Sequence, residues 1–133
     1  MKFLIVDDFA TVRRIIRSLL LQSGLASGSV EEATDGDEAL RRIEAGGIDF
    51  VVTDWNMPTM PGIDLLRAIR ASTDPEIRAL PVLMVTAEAK RENILEAAHA
   101  GVNGYIVKPF QAEALRAKID VILDRLGPML ASA

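Results

Sequence analysis

Residues 50–54, Phe-Val-Val-Thr-Asp, decide the fold, because four residues typical of a buried strand lead directly into the carboxylate of Asp54. Three other short apolar runs also end in residues suited to phosphate chemistry: Asp7-Asp8, Thr86 and Lys108. If these runs are parallel strands of one sheet, their ends share an edge at which a phosphate and a metal ion can bind together. The pattern therefore predicts a phosphorylatable switch.

Short apolar runs alternate with stretches of helical period along the chain. The runs predict five strands, at residues 3–6, 29–33, 48–53, 81–85 and 104–107. The periodic stretches predict five helices: one with Val12, Ile15, Ile16, Leu19 and Leu20 on its inner face, then residues 37–45, a helix carrying Leu65, Leu66 and Ile69, residues 88–100, and residues 111–126. Parallel strands need crossover helices, and crossovers are right-handed. The fold class is therefore α/β, a doubly wound (βα)5 domain with one parallel sheet. Five strands admit the flavodoxin-like order 2-1-3-4-5, which is the order we expect.

The length of 133 residues suits one domain with one hydrophobic core. We expect one folded domain at residues 1–127 and a short tail at residues 128–133, because Gly127-Pro128 is a helix stop signal. The polar segment 72–79 and the tail are both expected to be exposed to solvent.

The composition is half apolar and 26% charged, with a formal net charge of −4 and no cysteine. It fits a packed soluble domain, disfavours binding to nucleic acid, and excludes disulfides and cysteine metal sites. Asp7-Asp8 interrupts the first apolar run too early for a secretory signal, and no run approaches the roughly 20 apolar residues that cross a membrane. The expected location is cytoplasmic.

Three carboxylates at one sheet edge repel each other, and a divalent cation relieves this repulsion. Oxygen ligands of this kind suit Mg²⁺. A carboxylate can also attack phosphorus to give an acyl phosphate, while Lys108 and Thr86 would stabilise the charge on the phosphoryl oxygens. Each residue taken singly has an ordinary explanation as a helix cap, a strand end or a loop residue. Their coincidence at four strand ends favours the site.

Four segments of the chain closely resemble the receiver domains of two-component response regulators, most specifically those of bacterial chemotaxis: residues 3–9, 54–58, 82–90 and 104–110. The resemblance implies that Asp54 accepts a phosphoryl group from a sensor histidine kinase. It also implies a set of Mg²⁺ ligands: Asp7, Asp8, Asp54 and the main-chain carbonyl of Asn56. The protein would then be a phosphoacceptor switch that assists its own phosphorylation and dephosphorylation, and otherwise not an enzyme.

The same resemblance assigns roles around the acceptor. Lys108 and Thr86 would bind the phosphoryl oxygens, and Asn56 and Glu88 would set the lifetime of the phosphoryl group. The Lys108-Pro109 peptide bond is expected to be cis. Pro61 departs from the family pattern, in which an aspartate is common at this position.

The resemblance further implies that Thr86 moves inward on phosphorylation and that Tyr105 follows it. The face formed by the fourth helix, the fifth strand and the last helix would then change shape. The residues expected to touch the downstream partner, the flagellar motor switch, are Ile94, Tyr105 and Lys118. A phosphatase is a further expected partner, and we expect a monomer.

Three alternatives stay open on the residues alone. A phosphate sink would take phosphoryl groups from a shared kinase without driving a motor. A metal-dependent phosphohydrolase would use Asp54 as its nucleophile, but the chain offers no cap element for a substrate pocket. A flavodoxin-like cofactor binder is disfavoured because the carboxylates would repel a flavin phosphate.

Overall fold

The computed structural model describes residues 1–26 and 29–131, with side chains described up to residue 126. The five strands are β1 (Phe3–Val6), β2 (Val30–Ala33), β3 (Phe50–Thr53), β4 (Val82–Thr86) and β5 (Gly104–Val107). The helices are α1 (Ala10–Gln22), α2 (Gly36–Glu44), α3 (Gly62–Arg70), α4 (Pro75–Arg78), α5 (Arg91–Ala100) and α6 (Ala112–Ala131). The predicted alternation of strands and helices is thus confirmed.

The strands form one parallel sheet in the order β2-β1-β3-β4-β5, as predicted. Every residue of β1, β3 and β4 is buried. Helices cover both faces of these central strands, which explains why their sequences are continuously apolar rather than alternating. Strands β2 and β5 lie at the edges and carry partly exposed residues.

Successive side chains of each strand point to opposite faces, so the sheet separates two apolar layers. On one face, Leu4 and Val51 pack with α2, α3 and α5. On the other face, Phe3 and Phe50 pack with α1 and α6, and their ring centroids lie 5.0 Å apart. The helices fix the strands from both sides and leave the carboxyl ends of the strands open for a site.

The predicted end of the last helix is wrong. The helix predicted to stop at Gly127-Pro128 continues to Ala131, so residues 128–131 of the predicted tail are helical. A proline removes one helical hydrogen bond and kinks the chain, and this local cost does not have to end a helix. The remaining tail residues, 132 and 133, lie outside the described part of the chain.

The other differences are local. Ile15 is 50% exposed, although its spacing placed it on the buried face of α1, because Ile16 and Leu20 already fill the space against the sheet. The segment 72–79 is mostly exposed, as expected, but contains the one-turn helix α4, which begins with Pro75 at its first turn and Asp74 as its cap. Proline is well tolerated at that position.

Candidate functional site

The two acidic segments follow neighbouring strands in register. Val6 of β1 pairs with Thr53 of β3, so Asp7 and Asp54 are the next residues on adjacent strands. The amide of Asp54 donates to the carbonyl of Val6 (2.9 Å), and the amide of Asp7 donates to the carbonyl of Ala33 in β2 (3.1 Å). These bonds extend the sheet ladder by one residue, so the sheet itself fixes the main chain of both acids.

The carboxylates of Asp7, Asp8 and Asp54 form one cluster, in which an oxygen from each lies within 4.8 Å of the others. Asp7 and Asp54 are only 2% and 6% exposed, whereas Asp8 faces solvent. Three acids are therefore brought together with one open side. This confirms that they meet at one edge of the sheet.

Lys108 provides the positive charge of the cluster. Its Nζ lies 2.8 Å from Oδ2 of Asp7 and 3.1 Å from Oδ2 of Asp54, and its amide donates to the carbonyl of Thr86 (2.8 Å). One ammonium group against three carboxylates leaves two negative charges without a counter-charge inside the cluster. A divalent cation would balance this excess.

The ionisation of these groups reflects their burial and pairing. Burial raises the pKa of Asp7, and the hydrogen bonds from Lys108 and from the amide of Phe9 oppose the rise without cancelling it. Burial acts to lower the pKa of Lys108, but the hydrogen bond to Asp7 and the attraction of Asp54 raise it overall. Lys108 is therefore held in its charged form.

The loop after β3 holds Asp54 in a fixed orientation. Its Oδ1 accepts from the amides of Trp55 (2.6 Å) and Asn56 (3.4 Å), which leaves Oδ2 directed at Lys108. The chain then returns so closely that a Cβ on Gly62 would overlap the carbonyl oxygen of Asp54. Only glycine fits at this close approach.

Glu88 connects the loop after β3 to α5. Its carboxylate accepts from the side-chain amide of Asn56 (2.8 Å) and from that of Asn93 (2.9 Å). Its main-chain amide donates to Oγ1 of Thr86 (3.3 Å), and its carbonyl accepts from the hydroxyl of Tyr105 (2.7 Å). Glu88 is thus hydrogen-bonded to four residues near the site: Asn56, Thr86, Asn93 and Tyr105.

Tyr105 lies on the edge strand and is half-buried. Burial and the negative charges of Glu88 and Asp54 raise the pKa of Tyr105 to about 12, so its hydroxyl keeps its proton and remains a donor. The two other predicted partner residues lie on the helices that flank this strand: Ile94 on α5 is 36% exposed, and Lys118 on α6 is exposed. These helices lie on opposite faces of the sheet.

The cluster fits Mg²⁺ by the chemistry of its donors. Mg²⁺ prefers a small number of carboxylates and retains several water ligands. Asp7, Asp8 and Asp54 offer oxygen donors only, and the exposed side at Asp8 leaves room for water and a phosphoryl oxygen.

The described residues contain no helix long and apolar enough to cross a membrane.

Comparison with known proteins agrees with this geometry. Residues 3–120 match the response regulator receiver domain family. The chain belongs to this family. It is 61% identical over 126 residues to chemotaxis protein CheY-3 of Vibrio cholerae, and the match covers 95% of this chain and 94% of that protein. It is 60% identical over 127 residues to chemotaxis protein CheY of Pseudomonas aeruginosa, and the match covers 96% of this chain and 99% of that protein.

A solved structure supports the same assignment. The CheX-CheY-BeF3-Mg²⁺ complex of Borrelia burgdorferi matches with a TM-score of 0.84 and 25% identity, over 92% of this chain and 89% of that chain. The protein is a CheY-like response regulator and belongs to a class of signalling switches. The cis Lys108-Pro109 bond expected for this family is present.

Two residues of the site were not predicted from the sequence. Asn93 supplies the second amide to Glu88, and Arg13 donates to the main-chain carbonyl of Asp7. Arg13 stands at the start of the apolar stripe that continues through Ile16 and Leu20 on α1. A charged residue at the head of a buried stripe, one turn after an acidic pair, is the signal that could have identified it.

Proposed function

We propose that this receiver accepts a phosphoryl group on Asp54 from a sensor histidine kinase and signals by phosphorylation-dependent binding to another protein in the cytoplasm. The observation that carries the proposal is the placement of one ammonium group, Lys108, between the two buried carboxylates, Asp7 and Asp54, beside an open third carboxylate. The three carboxylate oxygens, all within 4.8 Å of one another, support binding of a divalent cation among them.

The residues proposed to hold Mg²⁺ are Asp7, Asp8, Asp54 and the main-chain carbonyl of Asn56. When bound, the ion would neutralise the excess negative charge and stabilise charge on the phosphoryl oxygens. The solved CheY complex that contains Mg²⁺ and BeF3 supports this assignment by likeness.

The transfer itself requires little covalent chemistry from the protein. A carboxylate oxygen of Asp54 forms a bond to phosphorus as the bond from phosphorus to the donor imidazole nitrogen breaks, and the electron pair of that bond stays with the imidazole. Lys108 donates to a phosphoryl oxygen, and the two amides on Oδ1 keep the Asp54 carboxylate aligned. Loss of the group is a separate hydrolysis, in which water attacks phosphorus, the bond from phosphorus to the Asp54 oxygen breaks and inorganic phosphate leaves. Asn56 and Glu88, whose side chains are hydrogen-bonded to each other beside Asp54, would set the rate of this step and so the lifetime of the acyl phosphate.

The switch follows from the bonds at Thr86. Its hydroxyl oxygen accepts from the amide of Glu88, and a phosphoryl group on Asp54 would offer that hydroxyl a stronger, charged acceptor. As Thr86 turns toward the phosphoryl group, the Glu88 segment shifts and carries with it the bond from Tyr105. Phosphorylation thereby alters the outer surface of α5, β5 and α6, where Ile94, Tyr105 and Lys118 would contact the partner.

The proposed partners are a sensor kinase, a phosphatase and the flagellar motor switch. The chemotaxis names of the relatives at 60–61% identity support the motor switch. A purified motor switch component on a resin should retain the protein with beryllium fluoride and Mg²⁺ and release it without them. Equal retention in both conditions would contradict signalling by phosphorylation, and no retention would favour the phosphate sink.

The acceptor is tested by labelling with acetyl phosphate in the presence of Mg²⁺. We expect Asp54→Asn to abolish incorporation, because an amide is a far weaker nucleophile than a carboxylate. The matched control is Asp64→Asn, which alters an exposed carboxylate on α3 and should leave labelling unchanged. Undiminished labelling of Asp54→Asn would move the acceptor to another residue.

A further inference from the structure

Asp7 and Asp8 are adjacent in sequence but are held very differently. Asp7 is fixed by its amide to Ala33, by its Oδ1 to the amide of Phe9 (2.9 Å) and by its Oδ2 to Lys108. Within residues 1–26 and 29–126, the carboxylate of Asp8 has no hydrogen bond or ion pair, and it faces solvent. The direction in which Asp8 projects therefore depends on the peptide plane that joins it to Asp7.

Arg13 fixes that peptide plane. Its Nη1 donates to the carbonyl oxygen of Asp7 (2.6 Å), and its Nε donates to Oε1 of Glu32 on β2 (3.0 Å). The side chain of Arg13 is only 15% exposed, and Oε2 of Glu32 is paired with Arg17 (3.1 Å). Two donors on one rigid group thus join the Asp7 carbonyl to the edge strand, a geometry that the point charge of lysine cannot reproduce.

We propose that Arg13, anchored by Glu32, is a positioning residue for the metal site: it orients the peptide between Asp7 and Asp8 so that the Asp8 carboxylate meets those of Asp7 and Asp54. The inference rests on the proposed function in one respect, that the carboxylate cluster binds Mg²⁺. Arg13 itself contacts neither the ion nor the phosphoryl group in this scheme.

Electrostatics distinguishes this role from a simple charge effect. A positive charge near a cation site weakens cation binding, so removing any nearby arginine should tighten Mg²⁺ binding through charge alone. If Arg13 positions Asp8, removing it should weaken binding instead. The two explanations therefore predict changes of opposite sign.

The variants to compare are Arg13→Gln, Arg13→Lys and the matched control Arg17→Gln. Arg17 is one turn further along α1 and is 46% exposed; it pairs with the same glutamate but does not reach the Asp7 carbonyl. The Mg²⁺ dissociation constant is measured from the fluorescence of Trp55, the only tryptophan of the chain. Melting temperature in EDTA shows whether each variant folds.

We expect Arg13→Gln to raise the dissociation constant about tenfold, the usual loss on removing a partner of a metal ligand. Arg13→Lys should also weaken binding, although it keeps the charge, and Arg17→Gln should bind as well as the native protein or better. In Arg13→Gln the carbonyl carbon resonance of Asp7 should shift, because its hydrogen bond is lost. A general loss of packing would not single out that resonance.

Native affinity in both Arg13 variants would overturn the inference, as would an equal loss of affinity in Arg17→Gln. A native protein that shows no response to Mg²⁺ would instead overturn the proposed function, so the two failures are distinguishable.

Discussion

The two ends of the sheet deal with buried charge in opposite ways. At the carboxyl end, three carboxylates surround one lysine and leave excess negative charge. At the other end, the guanidinium of Arg70 donates only to neutral oxygens, those of Gly101 (3.0 Å), Arg78 (2.9 Å), Leu80 (2.7 Å) and the Asn103 side chain (2.7 Å). The carboxyl end keeps excess negative charge, whereas at the other end the guanidinium of Arg70 has hydrogen-bond acceptors within the protein.

The bonds of Arg70 tie three connections together: α3, the segment around α4, and the turn from α5 to β5. The side-chain oxygen of Asn103 also accepts from the amide of Val82, so the same cluster fixes the first residue of β4. Burial lowers the pKa of Arg70, but arginine stays charged throughout the range in which proteins fold. This end of the molecule therefore contributes stability and offers no group for chemistry.

The largest expected effect is from Arg70→Met. Its loss leaves several partly buried oxygens without a donor, and we expect the free energy of unfolding to fall by about 3 kcal/mol. Urea denaturation at neutral pH measures this change, while the Mg²⁺ dissociation constant should not move. A clear loss of Mg²⁺ affinity in a folded variant would break the separation of the two ends.

The control for Arg70→Met is Arg67→Met on the same helix. Arg67 makes exposed ion pairs with Asp64 and Glu96. Exposed pairs of this kind contribute roughly 0–1 kcal/mol, so this variant should unfold much like the native protein.

The next effect is from Asp7→Asn, which changes the charge at the other end. Burial raises the pKa of Asp7 in the folded protein above its ordinary value of 3.8, so the fold is more stable when Asp7 is protonated. Below pH 3.8 this stability is fully present, and it is lost as the pH rises through the folded pKa. The neutral variant avoids that loss. In EDTA, its melting temperature should therefore exceed that of the native protein at pH 7, by a margin that shrinks toward pH 3.

Mg²⁺ should act against the advantage in melting temperature that Asp7→Asn has in EDTA. It stabilises only the protein that binds it, so adding Mg²⁺ at pH 7 should raise the melting temperature of the native protein more than that of Asp7→Asn. Equal gains in the two proteins would show that Asp7 is not part of the site.

The smallest effect concerns strain in the loop beside the acceptor. Thr59 has a positive φ of 61°, which disfavours a β-branched residue, and the amide of Met60 donates to the carbonyl of Pro58 (2.7 Å), the bond of a three-residue turn centred on Thr59. Asparagine tolerates this region, so Thr59→Asn should add about 0.5–1 kcal/mol to the free energy of unfolding. Thr73→Asn, in an exposed segment without a positive φ, is the control and should change it by less.

The sequence was sufficient for the sheet and for the acidic cluster because both follow from strand ends. An apolar run followed by an acid places that acid at the carboxyl edge, and this rule located Asp7, Asp8, Asp54 and Lys108 without coordinates. The crossover rule sets only the handedness of the connections, so the strand order came from the flavodoxin-like arrangement that five such strands admit, and from the family resemblance. Periodicity was weaker at the margins of a helix, as the exposure of Ile15 shows.

The arginines could not be assigned in this way. Arg13 and Arg70 bind main-chain carbonyls from segments that are distant in sequence or lie in turns. No residue pattern shows which carbonyls remain without a partner after the strands have paired. Such contacts depend on the assembled fold, so only the structure distinguishes these arginines from the solvated Arg67.

The close approach of Gly62 to Asp54 limits the directions in which the molecule can respond. The backbone of α3 begins directly against the acceptor carbonyl, and the amide of Gly62 is bonded to Trp55 (2.8 Å), so that side of the site is already filled. If Asp54 is phosphorylated as proposed, the new group would find no space to move β3 toward α3. Thr86 and Glu88 lie on the other flank, so the displacement would pass through them to Tyr105 on the edge strand β5, where a second protein would bind.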